Sequence, residues 1–404
     1  MRLFRVVFIA LVALWGSMGM AAAQQTSDEH EYVNGVNQFN LQVFGQLGET
    51  PGNMFVSAYS IHTALGMAMA GAQGQTLVEM RQALEVEAMN SEAIHRAAAN
   101  ITAALSGNKE EQGFELRVAN SFWGLAGYPF RASFLEFLNE HYAAELYTVD
   151  FRNDSEGARE EINEWVEDAT NDKIKDLIKP GMLQPLTRLV LVNAVYFLGD
   201  WLQPFTAEST RDRPFHLVSG EIIEVPTMGQ QLWTGYGEVD TVQVLELEYM
   251  GGRLSMVILL PEQNGLDGLE ELMDAAYYDR LVGSMESQEV VLNLPKWEST
   301  SEFQLAEVLS GLGMHSAFDP DAADFTAMAE TDELFISDVV HKTFVRVDEL
   351  GTEAAAATAV MMAGAGAPME PPKEFRADRP FLYLIRDKVT GLVLFMGRMT
   401  DPRE

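Results

Sequence analysis

The chain has 404 residues, 47 % of them hydrophobic, with 27 Lys and Arg against 60 Asp and Glu and a formal net charge of −33. That is apolar material for one large core or two ordinary ones, inside a surface that repels nucleic acid and anionic membrane alike. There is no cysteine, which excludes disulfides, thiolate metal sites and cysteine nucleophiles.

At the start of the chain, Arg2 and Arg5 precede VVFIALVALW and then small residues ending at Ala21-Ala22-Ala23. This is the basic, apolar, small-residue order of a secretory leader, with cleavage after Ala23. The apolar run falls short of the roughly 20 residues that span a bilayer. Residues 1–23 are therefore expected to be a signal peptide. The mature chain, 24–404, is expected to be secreted or extracellular, with the periplasm as the alternative. Loss of the two arginines makes the mature charge 25 − 60 = −35, spread along the chain rather than gathered in a tail.

Gln24 to Glu31 is polar and reads as loose. Phe39, Val43 and Leu47 then recur at four-residue spacing and predict an amphipathic helix. MFVSAYSIHTALGMAMAGAQG predicts a short strand turning into a buried helix ended by Gly71, and helical patterns continue to Leu105. FELRVANSFWGL predicts a strand, and SFLEFLNEHYAAEL and EEINEWVEDATNDKI predict helices. RLVLVNAVYFL is apolar with little alternation, as a central strand buried on both faces requires. From Trp233 onward strands dominate in TVQVLELEYM, RLSMVILLPE and EVVLNLPKW. Helices are predicted near Leu266 to Val282 and near Phe303 to Gly311. No repeat or linker divides the chain, and helices early with strands late give a single α+β domain. Between strand-like runs at Phe335 to Glu349 and Phe381 to Met399 lies GTEAAAATAVMMAGAGAP, Gly351 to Pro368, 18 residues with one charge.

The common catalytic patterns are missing. GAQGQT, Gly71 to Thr76, lacks the lysine and spacing of a phosphate cradle; no G-x-S-x-G elbow occurs, and HEYVN is not H-E-x-x-H. The seven histidines are scattered singly, with no pair at ligand spacing. No metal, cofactor or catalytic residue is expected. A hydrolase built from distant positions is the rival class, and no motif supports it.

VDELGTEAAAAT, Val347 to Thr358, resembles the hinge of a serpin's reactive-centre loop. Further serpin patterns follow in order along the chain: NMFVSAYSIHTALGMAMAGAQGQT from Asn53, LVLVNAVYFLGDWLQPF from Leu189, LSMVILLPE from Leu254, LNLPKW from Leu292, HSAFDPDAADFTAM from His315 and RPFLYLIRDKVTGLVLFMGRMTDP from Arg379. The likeness runs from about Val33 to the end. It implies a helix-rich α+β fold of three sheets and eight to nine helices. A loop, about 349–375, is offered as bait to a serine protease, with a cysteine protease as the second class of target. The implied inhibitor is a monomer. The protease supplies the chemistry, forming its acyl-enzyme on the loop. The cut loop then enters the large sheet as a new strand and releases stored strain.

The hinge comprises Glu349, Gly351 and Thr352 to Thr358. Strand alternation counted from Thr352 turns Thr352, Ala354, Ala356 and Thr358 inward, all small and uncharged. Glu353, Ala355 and Ala357 turn outward, where the Glu353 charge stays in water. A lysine or proline in the inward set would hinder insertion by burying a charge or removing a ladder donor. A dozen new ladder hydrogen bonds at about 1 kcal/mol each would drive it. An alanine run otherwise reads as helix or linker; Gly351 and the flanking strands weigh against that.

Family spacing puts the cleaved bond at Ala365–Gly366, with Met362 and Met369 as alternatives. The small residues at Ala365–Gly366 suit elastase- or subtilisin-like enzymes, and either methionine a chymotrypsin-, elastase- or subtilisin-like one. No Arg or Lys lies between Gly351 and Pro372, which disfavours a trypsin-like target. The resemblance also implies a Lys296–Glu349 pair beside Trp201 at the top of the large sheet, although Leu350 replaces an acid common at that position. Ser57, Ser60, Asn193 and His341 match a buried hydrogen-bond cluster under the opening sheet; their plain reading is satisfied core polar groups. Heparin is not expected to bind, since Asn90 to Gln112 holds only Arg96 and Lys109 as cations. The alternative function is a serpin-fold binding or chaperone-like protein whose loop is cut without trapping.

Overall fold

The computed structural model describes residues 26–48, 50–107, 112–331, 333–352 and 371–404. The leader and the loop positions Glu353 to Thr358, Met362, Ala365, Gly366 and Met369 lie outside the described residues.

Helix α1 spans 26–47, so the stretch expected to be loose is helical from residue 26. Its first turns are held because Asp28 pairs with Arg96 at 2.6 Å and Tyr32 packs edge-on against His62. Strand β1 (Met54–Val56) leads through Ser57 into α2 (Ala58–Met69), where all twelve residues are buried. Ser57 caps it, its hydroxyl accepting from the Ser60 N–H. Helices α3 (Gly74–Ala83) and α4 (Ser91–Leu105) follow, then β2 (Phe114–Leu125) and α5 (Ala132–Tyr142). The helix predicted through SFLEFLNEHYAAEL stops at Tyr142, because Ala143 turns left-handed at φ 47° and β3 (Leu146–Val149) begins at once. Likewise α6 (Ser155–Ala169) ends before NDKI, where Asn171 and Asp172 both have positive φ.

Strand β4 (Leu189–Asp200) is followed by β5 (Arg211–His216) and β6 (Ile222–Val239). The strand-dominated stretch therefore begins at Arg211, before Trp233. Strand β5 is polar and mostly exposed, and the start of β6 alternates exposed with buried residues, so neither carries an apolar run. Next come β7 (Val242–Glu248), β8 (Leu254–Leu260), α7 (Leu266–Leu272) and α8 (Ala275–Gly283). The single helix expected over Leu266 to Val282 is two, because Asp274 caps a new start by accepting from the Tyr277 N–H at 2.7 Å. Strands β9 (Glu286–Pro295) and β10 (Trp297–Gln304) precede α9 (Ala306–Gly311), so Phe303 belongs to a strand. The chain closes with β11 (Asp338–Val347), β12 (Gly351–Thr352), β13 (Lys373–Arg376), β14 (Phe381–Asp387) and β15 (Val393–Met399).

The large sheet runs β10-β11-β12-β4-β2-β3. The remaining strands form one continuous layer, β1-β15-β14-β8-β7-β6-β9-β13, with β5 on β6. The length of β6 makes it continuous: it pairs with β5 at its start, β9 through its middle and β7 at its end. The main core fills the space between the layers, and a second apolar cluster lies on the other face of the large sheet beneath α6. In β4, Leu191, Val195 and Phe197 face the first, while Val190, Val192 and Ala194 face the second. Burial on both faces is why its sequence lacks alternation.

Candidate functional site

At the top of the large sheet β11 reverses into β12 through a tight turn. The Asp348 N–H donates to Gly351 O at 3.0 Å, and the Asp348 carboxylate accepts from the Leu350 N–H at 3.0 Å. Strand β12 then sits between β11 and β4, antiparallel to both, with Thr352 opposite Val347 on one side and Gly199 on the other. Thr352 is fully buried, and its hydroxyl meets the Tyr249 hydroxyl at 2.8 Å. Only glycine fits at 351: a Cβ there would lie 2.0 Å from Gly199 O. Below this wedge β11 and β4 are parallel neighbours, paired from Asp338–Val190 to Phe344–Tyr196. The strands beside β12 are thus joined to each other from Phe344–Tyr196 downward.

Glu349 is fastened in place. Lys296 Nζ donates to its carboxylate at 2.7 Å and Thr210 Oγ1 at 2.6 Å, while the Phe205 N–H donates to its carbonyl at 2.8 Å. Partial burial works against the charged carboxylate, but the donors from Lys296 and Thr210 win, and its pKa lies below the usual value. Trp201 grips the same turn: its N–H donates to Leu350 O at 2.8 Å and its indole Nε1 to Asp348 O at 3.0 Å. Its ring stacks on Tyr249 at 4.6 Å. These bonds use Leu350 only through its backbone.

Halfway down the seam, Ser57, Ser60, Asn193 and His341 meet. His341 Nε2 accepts from the Ser57 N–H at 3.1 Å, and its Nδ1 donates to Asn193 Oδ1. Asn193 Nδ2 donates to Ser60 Oγ and to Asn120 Oδ1. Ser57 Oγ donates to Leu394 O at 2.7 Å, carrying the network into β15. This pattern makes His341 the neutral Nδ1–H tautomer, and burial pulls its pKa down to about 3. A group held neutral with both ring nitrogens occupied is neither a base nor a ligand. Among the described residues no cluster of His, Asp and Glu is arranged to hold a metal ion.

Four side chains of these networks escaped sequence reasoning: Asn120, Thr210, Tyr249 and Asp348, whose carboxylate holds the Leu350 N–H. Asn120 carried a signal, since asparagine is disfavoured inside a strand and here stands directly opposite Asn193. Thr210 and Tyr249 carried none; only the fold brings them to Glu349 and Thr352.

The family model described as Serpin (serine protease inhibitor) matches residues 34–402. An uncharacterized serpin-like protein of Thermococcus kodakarensis is 40 % identical over 378 residues, 93 % of this chain and 87 % of that protein. The leukocyte elastase inhibitor of Bos taurus is 39 % identical over 376 residues, 90 % of this chain and 98 % of that protein. Among solved structures, Serpin48 of the insect Tenebrio molitor superposes with a TM-score of 0.83 at 33 % identity, covering 92 % of this chain and 98 % of that one.

Proposed function

This chain belongs to the serpin family of protease inhibitors, and we propose that it traps a serine protease by suicide cleavage of the loop after Thr352 and insertion of that loop between β11 and β4. One observation carries the reading: β12 is already seated at the head of the seam, with Thr352 paired to both flanking strands and Gly351 to β4.

Each further loop residue moves one place down both strands. Ala354 would then lie between Phe197 and Val345, Ala356 between Val195 and Thr343, and Thr358 between Asn193 and His341. Arrival of Thr358 would separate those last two residues, offering its hydroxyl in place of the bond between them. The same register explains why the loop is alanine-rich on both faces. Ala357 would fall between Ala194 and Lys342, beside the second apolar cluster, so most outward positions are covered too. Glu353 would fall between Leu198 and Arg346, whose side chain is 39 % exposed, where a carboxylate keeps its water and gains a cation. An entering strand buried on both faces must be small and apolar throughout, apart from its first turn outward.

The bait bond is proposed at Ala365–Gly366, with Met362 and Met369 next, and the targets as elastase-, subtilisin- or chymotrypsin-like. Export with cleavage after Ala23 is supported by the leader pattern, and the exported protein is proposed to be a monomer. Among the described residues, Arg96 is engaged with Asp28 and Arg117 with Glu115, which supports activity without heparin. To test this, the mature protein is mixed with elastase- and subtilisin-like enzymes and followed by denaturing gels and intact mass. A band at the summed mass with a released peptide beginning at Gly366 is the expected result. Clipped inhibitor beside fully active protease, across a broad panel, would leave a serpin-fold protein that does not trap.

A further inference from the structure

Beside the hinge, β6, β7 and the end of α8 enclose a cavity of about 450 Å³. Glu246 of β7 opens onto it, although the residue is only 8 % exposed. Its Oε1 accepts from Ser255 Oγ at 2.8 Å and from the Arg386 guanidinium at 2.9 Å. Its Oε2 takes no hydrogen bond among the described residues. The ionic neighbour of that oxygen is Lys388 Nζ at 4.0 Å, an ammonium already held by Glu248. Gly235 stands in front of Oε2; a Cβ there would come within 3.3 Å of it. The missing side chain is what leaves the oxygen open.

A carboxylate oxygen that faces the cavity without a hydrogen bond is free to accept a donor from a ligand, and the surroundings specify which kind. Glu246, Glu248 and Glu286 line the cavity against Arg386, with Lys388 adjacent. One negative charge is left unmatched, which repels an anion and suits a monocation. Trp233, 53 % exposed, also lines the space, and an aromatic ring is a surface that attracts a cation. Met285 supplies an apolar wall.

We propose that this cavity binds a small primary ammonium ion with an apolar, ring-sized body, its ammonium on Glu246 Oε2 and its body against Trp233 and Met285. Trp201 is also part of the wall, and its two N–H groups hold the carbonyls of Asp348 and Leu350. An occupied cavity braces the side chain that anchors the hinge and slows loop insertion; this second half rests on the trapping reading.

The test is calorimetric titration of the mature protein, at fixed ionic strength, with 2-phenylethylamine, 2-phenylethanol and phenylacetate. Saturable binding of the amine, with the alcohol and the acid at least ten-fold weaker, is the expected result. Gly235→Ala and Trp233→Ala, whose folding is checked by circular dichroism, should each weaken the amine at least ten-fold. No saturable binding, equal binding of amine and alcohol, or undiminished binding in both variants overturns the site. In a second arm, saturating amine should slow formation of the protease complex at least three-fold. An unchanged rate overturns the bracing of the hinge. Amine binding without any protease complex overturns the trapping reading and leaves the site standing.

Discussion

Replacing Ala356 by lysine places one charge where insertion has least room for it. The register seats position 356 between Val195 and Thr343, both fully buried. An isolated ammonium there must shed its proton or be buried charged. Deprotonating a lysine with an ordinary pKa of about 10.4 at pH 7 costs about 4.6 kcal/mol, and burying it charged costs more. Against this, insertion replaces the seven-pair β11–β4 ladder with two ladders, a gain of about 7 kcal/mol at roughly 1 kcal/mol per bond. The cut loop therefore still inserts at equilibrium. The race is another matter, since about 4.6 kcal/mol is more than a thousandfold in rate if it is felt at the barrier. Ala356→Lys should be cut as a substrate, with less than a tenth of the wild-type yield of denaturation-resistant complex on a gel. Its cleaved form should still melt above its uncleaved form, by a smaller margin than wild type. Ala357→Lys should behave the same way, because Ala194 and Lys342 are buried there, whereas Glu353→Gln should trap normally. Wild-type complex yield from Ala356→Lys, or loss of trapping in Glu353→Gln, would refute the register.

Other consequences are open to direct measurement. Glu349→Gln removes the charged acceptor of Lys296 and should lower the stability of the uncleaved protein by about 1–2 kcal/mol in denaturant titration; an unchanged midpoint would make the pair ornamental. Asn120→Ala deprives Asn193 Nδ2 of one of its two acceptors and should cost about 1–2 kcal/mol by the same assay. Burial pulls His341 down to about 3, and His62 and His95 to about 4, from an ordinary 6.5. Their folded-state values are depressed, so the unfolded chain binds more protons between pH 6.5 and about 4. Stability is therefore full above pH 6.5 and falls as pH drops through that window, by up to about 1.4 kcal/mol per pH unit for each histidine. His341→Gln should flatten this acid limb by one histidine's share, and an identical limb would mean that His341 titrates normally.

Local pattern was sufficient for much of this molecule. The unbroken apolar run of β4 and the buried helix after Ser57 were legible, because each states the burial of a single element. Composition closed off thiol chemistry, and the order of the motifs pointed to the family. What remained hidden depends on partners far apart in the chain. Strand β5 and the start of β6 are strands through pairing rather than apolar content, and α1 begins early because Arg96 and His62 come to meet it. Alternation alone proposes which hinge residues turn inward, but it could not show that a second apolar cluster beneath α6 lies on the outer face of the large sheet, where the proposed insertion would call for small residues too. Likewise nothing local joins Thr210 to Glu349, Tyr249 to Thr352 or Gly235 to the open oxygen of Glu246. A sequence reports what each residue tolerates around it; the register between distant strands decides which residue supplies those surroundings.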